Sequence, residues 1–372
     1  MKFSIERKDL MDQIQNLSSI VPGKNTMPIL MNYLIEANQE TNIISFTATD
    51  LEITVVVSFP ANVWEGGKTA VLAHPFNEIV HLLPDAVINI VKEEDNLLIQ
   101  CQKNEYTVLC ADAGQYPLIP ENNFENALQL NAVDIGKMIN KTIFAVSPDT
   151  NRPIFTGIYW KISPDSQAMV STDGKKIAEY ILDQNIPVEQ TLEQILPVKG
   201  LVFLMRIIRD DEPTLKIVLE ESRVMFNYRN YTIFTHVIEG KYPDYKQVFP
   251  KEINTTVVYN RDLLKTAVRR VGLMAPDDSN RVRFDITSAK TDISTLNRER
   301  GEAKEQLADY EFSGEDISIA FNFKYMISIL DAIDTDKVRI VFAKAKDPVQ
   351  FFNETDPENT HARFLIMPLR LP

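Results

Sequence analysis

The chain has 372 residues, of which 44% are hydrophobic and 24% charged, and its formal net charge is −13. This composition is typical of a globular protein of two or three domains and excludes a disordered or low-complexity chain. The longest apolar runs fall far short of the ~20 residues that cross a bilayer, and the first residues lack the apolar stretch of a signal peptide. We therefore expect a soluble, cytoplasmic protein with no membrane role.

Three markers recur along the chain at intervals of 125 to 128 residues. An acidic residue followed by an apolar one opens a helical pattern at Asp9, Asp134 and Asp262. A strand-like run begins 19 residues after each of these, at Pro28, Pro153 and Arg281. A proline follows an apolar residue near the end of each copy, at Pro117, Pro243 and Pro368. Three markers in register indicate a threefold internal repeat.

Each copy has the same order of predicted elements. A short strand, predicted at residues 2–5, 127–130 and 256–259, leads into an amphipathic helix. In the first copy the apolar face of this helix comprises Leu10, Ile14, Leu17 and Val21. Alternating strands follow, for example at 43–47 and 52–58, and then a second helix at 75–83, 197–209 and 322–333. The prediction is an α+β fold of three similar domains (residues 1–126, 127–252 and 253–372), each with antiparallel sheet and two helices.

Both cysteines lie in one predicted hairpin, residues 97–110. If this hairpin turns at Lys103 and Asn104, Cys101 faces Tyr106 and the second cysteine, Cys110, faces Leu97. That register keeps the two sulfurs apart, so we expect reduced, buried thiols.

Basic residues recur on one face of several predicted helices. They are Lys137 and Lys141 in one helix, Lys199, Arg206 and Arg209 in a second, and Lys265, Arg269 and Arg270 in a third. Such a stripe is either an ordinary solvated face or a surface that follows a phosphate backbone without reading bases. Recurrence at equivalent positions of the repeat favours phosphate binding. The stripes contain no interleaved aromatic residues for base stacking, which favours duplex over single-stranded nucleic acid.

Residues that could perform catalysis are scarce. The chain has no Gly-rich dinucleotide or phosphate loop, no nucleophile elbow and no H-E-x-x-H motif, and its four histidines are dispersed. The acidic triplet at residues 210–212 could hold two metal ions in a nuclease, but its place before Pro213 favours a solvated loop. We expect no enzyme activity, no cofactor and no metal site. A nuclease and a scaffold that binds only proteins are kept as alternatives.

Segments along the whole chain resemble one family, and the most specific are GKYPDYKQVFP at 240–250 and IMPLRL at 366–371. Others include VPGKNTMPIL at 21–30 and STDGKKIA at 171–178. The sequence is similar to the bacterial DNA polymerase III β subunits, the replicative sliding clamps. The resemblance implies a head-to-tail homodimer that closes a ring around duplex DNA and performs no chemistry. The partners it implies are the polymerase III catalytic subunit, the clamp loader and other proteins with a clamp-binding peptide.

The resemblance further implies a pocket for an extended partner peptide that contains a Gln and a terminal Leu or Phe. Its members here would be Phe155, Thr172, Gly174, Lys175, Lys176, Ile177, Pro243, Gln247, Val248, Val349, Leu365, Ile366, Met367, Pro368, Leu369 and Arg370. Lys175, Lys176 and Gln247 depart from the residues usual in the family, which leaves the preferred peptide open.

Two further surfaces are expected. Lys24, by resemblance, and the basic helix residues, by periodicity, should face DNA. At the dimer seam, Tyr106 and Val108 are expected to pair with an edge strand of the partner's third domain, with Leu273 and Met274 packing nearby.

Overall fold

The computed structural model describes residues 1–24 and 26–371. The chain forms two compact units. The first contains Met1–Gly136 and Lys199–Val237, and the second contains Lys137–Val198 and Ile238–Pro372. No helix in the described part of the chain has the length and apolar character needed to span a membrane.

Six α-helices occur among the described residues, two in each third of the chain. They are α1 (Arg7–Ile14), α2 (Ala73–Leu82), α3 (Ala132–Thr142), α4 (Val198–Ile207), α5 (Arg261–Gly272) and α6 (Phe323–Ala332). Each lies where the sequence predicts a helix, with ends that differ by a few residues. In the first copy the predicted helical face continues to Val21, whereas α1 ends at Ile14 and a single 3-10 turn, Leu17–Ser19, follows.

The strands of the first two thirds are β1 (Lys2–Glu6), β2 (Asn32–Asn38), β3 (Ile43–Thr49), β4 (Ile53–Pro60), β5 (Asn62–Glu65), β6 (Gly67–Leu72), β7 (Val87–Glu93), β8 (Asn96–Cys101), β9 (Asn104–Ala111), β10 (Leu128–Asn131), β11 (Gly157–Ile162), β12 (Ser166–Thr172), β13 (Lys176–Asp183), β14 (Leu192–Pro197), β15 (Thr214–Leu219), β16 (Arg223–Tyr228) and β17 (Tyr231–His236). The last third contains β18 (Thr255–Asn260), β19 (Arg281–Ile286), β20 (Thr291–Asn297), β21 (Gly301–Leu307), β22 (Tyr310–Gly314), β23 (Ile317–Asn322), β24 (Lys337–Phe342), β25 (Val349–Asn353) and β26 (Thr360–Ile366).

One antiparallel sheet runs through the first unit, in the order β10-β15-β16-β17-β4-β3-β2-β6-β9-β8-β7-β1-β5. It joins strands of the first third to strands of the middle third through the pairing of β17 with β4. Helices α1 and α2 pack against each other, and Leu10, Ile14 and Leu17 are fully buried.

The second unit contains two antiparallel sheets. The larger has the order β14-β11-β12-β13-β26-β25-β24-β18-β22, and the smaller has the order β21-β20-β19-β23. Strand β13 of the middle third pairs with β26 of the last third, just as β4 pairs with β17 in the first unit. These pairings divide the middle third of the chain between the two units. The domain boundaries predicted at residues 126 and 252 are not tested by this division and stay a prediction.

Two expectations about local structure need correction. The strand-like runs at Pro28 and Pro153 begin with 3-10 turns, Pro28–Met31 and Pro153–Phe155, before β2 and β11. Proline favours this because its fixed φ and missing N–H suit a first helical turn. The third run begins with Arg281, lacks the proline and is a strand throughout.

The predicted register of the cysteine hairpin is also wrong. Its turn consists of Gln102 and Lys103, with Gln102 at φ 53°, so Cys101 pairs with Asn104. Moving the turn by one residue shifts every pair by two, because the strands run in opposite directions. Both cysteines are nevertheless free, Cys101 buried and Cys110 half-buried.

Candidate functional site

A cavity of about 160 Å³ in the second unit brings together ten of the sixteen expected pocket residues. They are Phe155, Thr172, Gly174, Lys175, Lys176, Ile177, Pro243, Val248, Leu365 and Met367. Two residues that the sequence reasoning missed, Asp244 and Tyr245, complete the lining. Their place within the motif GKYPDYKQVFP, directly after Pro243, is the signal that could have identified them.

Two aromatic residues of the lining, Phe155 and Tyr245, belong to a larger cluster of aromatic rings. Tyr159 stacks on Tyr242 with ring centres 4.8 Å apart, and Phe155 meets Tyr242 edge-on at 6.1 Å. Tyr245 contacts Tyr242 and Phe249 edge-on, each at 6.5 Å. Offset and edge-on ring contacts are the favourable geometries, so this cluster supports the two aromatic residues of the lining.

The turn between β12 and β13 forms one wall and is fixed by its own side chains. The Thr172 hydroxyl donates to the Lys176 carbonyl at 2.7 Å and accepts the Gly174 amide at 3.0 Å. Asp173 Oδ1 accepts the amides of Lys175 and Lys176 at 2.8 and 3.0 Å. Gly174 has φ +86°, a left-handed conformation that glycine adopts without a steric penalty.

Only one of the two neighbouring lysines offers a free charge to a ligand. Lys176 is buried, with its Nζ 2.5 Å from Asp173 Oδ2 and 4.4 Å from the ring centre of Tyr325. Its charge is therefore compensated inside the protein. Lys175 is exposed at the rim of the cavity.

The chain beyond β26 also contributes to the lining. The Met367 amide donates to the Lys175 carbonyl at 2.8 Å, and its side chain, 37% exposed, lines the cavity. Two residues further on, the Leu369 amide donates to the Ala320 carbonyl at 2.8 Å, at the edge of the smaller sheet. Leu369 does not line the cavity.

The other expected pocket residues also lie outside the lining. Val349 and Ile366 pair between β25 and β26 and are fully buried. Pro368 is half-buried and Arg370 is exposed. Gln247 is exposed, and its Nε2 donates to Asp244 Oδ2 at 2.8 Å beside the cavity.

The basic residues expected to face DNA differ in how free their charges are. Lys24, Arg206 and Arg269 are exposed and have no acidic partner within ion-pair distance among the described residues. Arg209 is exposed, and its guanidinium donates to the carbonyls of Arg206 and Ile208 beside the end of α4.

Four others are paired with carboxylates. Lys199 contacts Asp50 and Lys265 contacts Asp331. Arg270 donates to Glu305 through two nitrogens, each at 2.6 Å. Lys137 Nζ lies 3.8 Å from Asp334. These neighbouring acids reduce the positive potential that the helices present to solvent.

The expectation for Lys141 is corrected by its surroundings. Its side chain is buried, and its Nζ donates to the Ala332 carbonyl at 2.6 Å and to Asp334 Oδ1 at 2.5 Å. Because both acceptors enclose the ammonium, it is not available to a phosphate.

The residues expected at the dimer seam lie at two sheet edges. β9 pairs with β8, but with β6 only at Cys110 and Ala111, which leaves residues 104–109 open on one side. Tyr106 is 41% exposed on this edge, whereas Val108 is buried. In the second unit β21 is an edge strand; Met274 lies beside its first residue, Gly301, and Leu273 is 72% exposed.

The acidic triplet makes ordinary structural contacts. Asp211 pairs with Arg229, and Glu212 Oε1 accepts the Thr214 amide at 3.0 Å. No group of three or more His, Cys, Asp or Glu side chains in the described part of the chain is arranged to hold a metal ion.

Three family models match the chain in order. They are those of the N-terminal, central and C-terminal domains of the DNA polymerase III beta subunit, at residues 1–120, 129–244 and 246–370. The beta sliding clamp of Bacillus subtilis is 29% identical and that of Pseudomonas putida 28%, each aligned over 100% of both chains.

Solved structures agree with this match. The sliding clamp of Pseudomonas aeruginosa bound to griselimycin is 26% identical, with a TM-score of 0.93 and complete coverage of both chains. The DNA polymerase sliding clamp of Bacillus subtilis gives 27% identity and a TM-score of 0.93, again over 100% of both chains. The resemblance seen in the sequence motifs therefore extends to the whole backbone.

Proposed function

Since this chain belongs to the DNA polymerase III beta subunit family, we propose that it is a replicative sliding clamp, which encircles duplex DNA and tethers the polymerase. It is a non-catalytic processivity factor, and we place its action in the cytoplasm with the bacterial chromosome. The observation that carries the proposal is the ordered match of all three domain models along the chain. Tethering raises the polymerase's effective concentration at the primer end, so rebinding becomes a local event.

The cavity in the second unit is where we expect partner peptides to dock. The aromatic lining residues Phe155 and Tyr245 and the exposed Met367 side chain suit an apolar anchor residue in a desolvated pocket. The same pocket would serve the polymerase catalytic subunit, the clamp loader and other proteins that carry the peptide motif.

Sequence-independent attraction to the DNA phosphates is the second part of the proposal. Lys24, Arg206 and Arg269 carry the least compensated charges among the expected DNA-facing residues. A closed ring retains DNA by topology, so a few weak phosphate contacts are sufficient and allow sliding. The negative charge of the whole chain should repel DNA from surfaces outside the ring.

Ring closure requires a second copy of the chain. The open edge of β9 and the edge strand β21 each expose unpaired backbone groups, which favours pairing between protomers. We propose that β9 of one protomer pairs with β21 of its partner, with Tyr106 and Leu273 packing beside the seam.

The peptide pocket can be tested by substitution of one residue. We expect Met367→Ala to weaken binding of a labelled Gln-Leu-Phe-containing peptide at least about tenfold, because it removes an exposed apolar contact from the pocket wall. Fluorescence anisotropy provides the measurement. The matched control is Ile253→Ala, which truncates another apolar residue, 55% exposed and outside the lining. Equal affinity of the wild type and the Met367 variant would contradict the pocket.

A further inference from the structure

A buried carboxylate accepts a hydrogen bond from a residue of the cavity lining. Glu179 on β13 is 1% exposed and stands opposite Arg363 on β26 in the sheet register. Arg363 donates to Glu179 Oε2 through Nε at 2.9 Å and Nη2 at 2.5 Å. The Tyr245 hydroxyl donates to the other oxygen, Oε1, at 2.7 Å. Both carboxylate oxygens are therefore bound, one by a charge and one by a pocket residue.

Sheet stability alone does not explain this arrangement. Burying a charge is costly, and well-packed apolar residues often stabilise a fold as well as a buried ion pair does. What an apolar residue cannot do is hold a hydroxyl in place. Burial is the main cause that raises the pKa of Tyr245, and the nearby Glu179 raises it further, so the hydroxyl stays protonated and donates.

Tyr245 connects this network to the pocket wall. It is the first residue of the 3-10 turn Tyr245–Val248, and it lies between Pro243 and Val248, which both line the cavity. The Arg363 guanidinium also lies 3.6 Å from the ring centre of Phe249, directly after this turn. The network therefore holds the turn at both ends.

We propose that Glu179 is a positioning residue for the peptide pocket: together with Arg363 it fixes the Tyr245 hydroxyl and thereby the wall formed by Pro243 and Val248. This inference rests on the proposed function, because its consequence is measured as peptide affinity. It assigns a role in partner binding to a buried residue outside the cavity lining.

The test combines single and double substitutions with the labelled peptide. Tyr245→Phe keeps the ring and removes only the hydroxyl, and Glu179→Leu removes the acceptor. Each is expected to weaken peptide binding about tenfold, since the lost bond joins a hydroxyl to a charged group. The double variant should lose no more than the weaker-binding single variant, because both substitutions break the same contact. Glu179→Gln, which retains an acceptor oxygen, should recover part of the affinity.

The matched control is Tyr259→Phe in the same unit. Tyr259 is also buried, and its hydroxyl lies 2.6 Å from Thr291 Oγ1, outside the cavity lining. The Tyr259→Phe variant should lower the melting temperature, as Tyr245→Phe should, but it should leave peptide affinity unchanged. Wild-type affinity in Tyr245→Phe, or additive losses in the double variant, would overturn the positioning role. Weakened binding in Met367→Ala would still uphold the pocket itself. Failure of the wild type to bind the peptide would overturn the proposed function and this inference together.

Discussion

At the scale of single residues, the partners of each basic side chain decide what it can contact. Lys137 and Lys141 share a helix face by periodicity, yet both lie near Asp334, almost two hundred residues further along the chain. Arg206 and Arg269 have no such partner among the described residues. Phosphate contact therefore depends on where distant carboxylates lie, which helix periodicity does not reveal.

This difference predicts opposite behaviour for two sets of variants. Lys141→Met should lower the free energy of unfolding by about 1–3 kcal/mol, because Asp334 and a carbonyl lose a charged donor. Its retention on DNA should be unchanged. Arg206→Gln with Arg269→Gln should leave stability unchanged and reduce the slope of log K against log salt by about 2, one counterion per lost phosphate contact.

Retention on linear and circular DNA over a salt series, together with denaturant unfolding, measures both effects. A loss of DNA retention in Lys141→Met without a loss of stability would contradict the structural role of Lys141. An unchanged salt slope in the double arginine variant would mean that α4 and α5 do not face the duplex.

At the scale of elements, the turn that lines the cavity has a counterpart in the first unit. Thr49 Oγ1 donates to the Ile53 carbonyl at 2.9 Å, and Asp50 Oδ1 accepts the amides of Glu52 and Ile53 at 3.0 and 2.9 Å. These bonds match those of the turn at residues 172–176. The difference is Leu51, which has φ 77° where the cavity turn has glycine.

Replacing Leu51 with glycine and Gly174 with leucine, in two separate variants, should therefore change the free energy of unfolding in opposite directions. Leu51→Gly should raise the free energy of unfolding by up to about 1 kcal/mol, because leucine is strained in the left-handed region and this side chain is 48% exposed. Gly174→Leu should lower it and weaken peptide binding, since a Cβ there would lie 3.3 Å from the Arg152 guanidinium. Thermal unfolding and peptide anisotropy measure the two effects. A destabilised Leu51→Gly would show that leucine packing outweighs strain.

The smaller sheet of the second unit carries several acid–base pairs. A hydrogen bond from Arg283 lowers the pKa of Asp285, and one from Arg270 lowers the pKa of Glu305. A group whose pKa is lower in the folded state stabilises the fold above its unfolded pKa and loses this effect as pH falls through the folded value.

We therefore expect the melting temperature to fall as pH decreases below about 4, close to the unfolded pKa of these groups. Asp285→Asn should reduce this dependence, whereas Asp309→Asn, at an exposed aspartate with no ion pair among the described residues, should preserve it. Scanning calorimetry at a series of pH values from about 3 to about 6 provides the measurement. An identical pH profile in all three proteins would contradict a contribution from Asp285.

At the scale of the whole molecule, two copies should be held together by sheet edges and a few apolar contacts. Leu273 is exposed next to Met274, which lies beside the first residue of β21, and Tyr106 is exposed on the open edge of β9. An apolar residue at such an edge favours association, and a charge there opposes it because the charge must be desolvated.

Leu273→Asp is therefore expected to shift the protein from dimer to monomer in analytical ultracentrifugation at dilute concentration, without loss of secondary structure. Ile253→Asp is the matched control, since Ile253 is 55% exposed and lies far from both β9 and β21 in the sequence. A wild type that sediments as a monomer at all concentrations, or an unaffected Leu273 variant, would contradict the proposed seam.

The sequence by itself determined the elements and their threefold recurrence, because apolar periodicity and proline positions depend on residues close together in the chain. Helices α1 to α6 and strands such as β19 lie close to their predicted places for this reason. The family resemblance, carried by motifs around Thr172, Pro243 and Met367, also predicted most of the cavity lining.

Only the tertiary structure decided which side chains are available for binding. Val349 and Ile366 were expected in the pocket but are fully buried in the sheet. Leu369 bonds to Ala320, and Asp334 pairs with Lys141. Tyr245, a residue of the cavity lining, is held in place by a carboxylate 66 residues earlier in the chain. Such contacts depend on strand pairing between distant segments, and local periodicity carries no information about which strands pair.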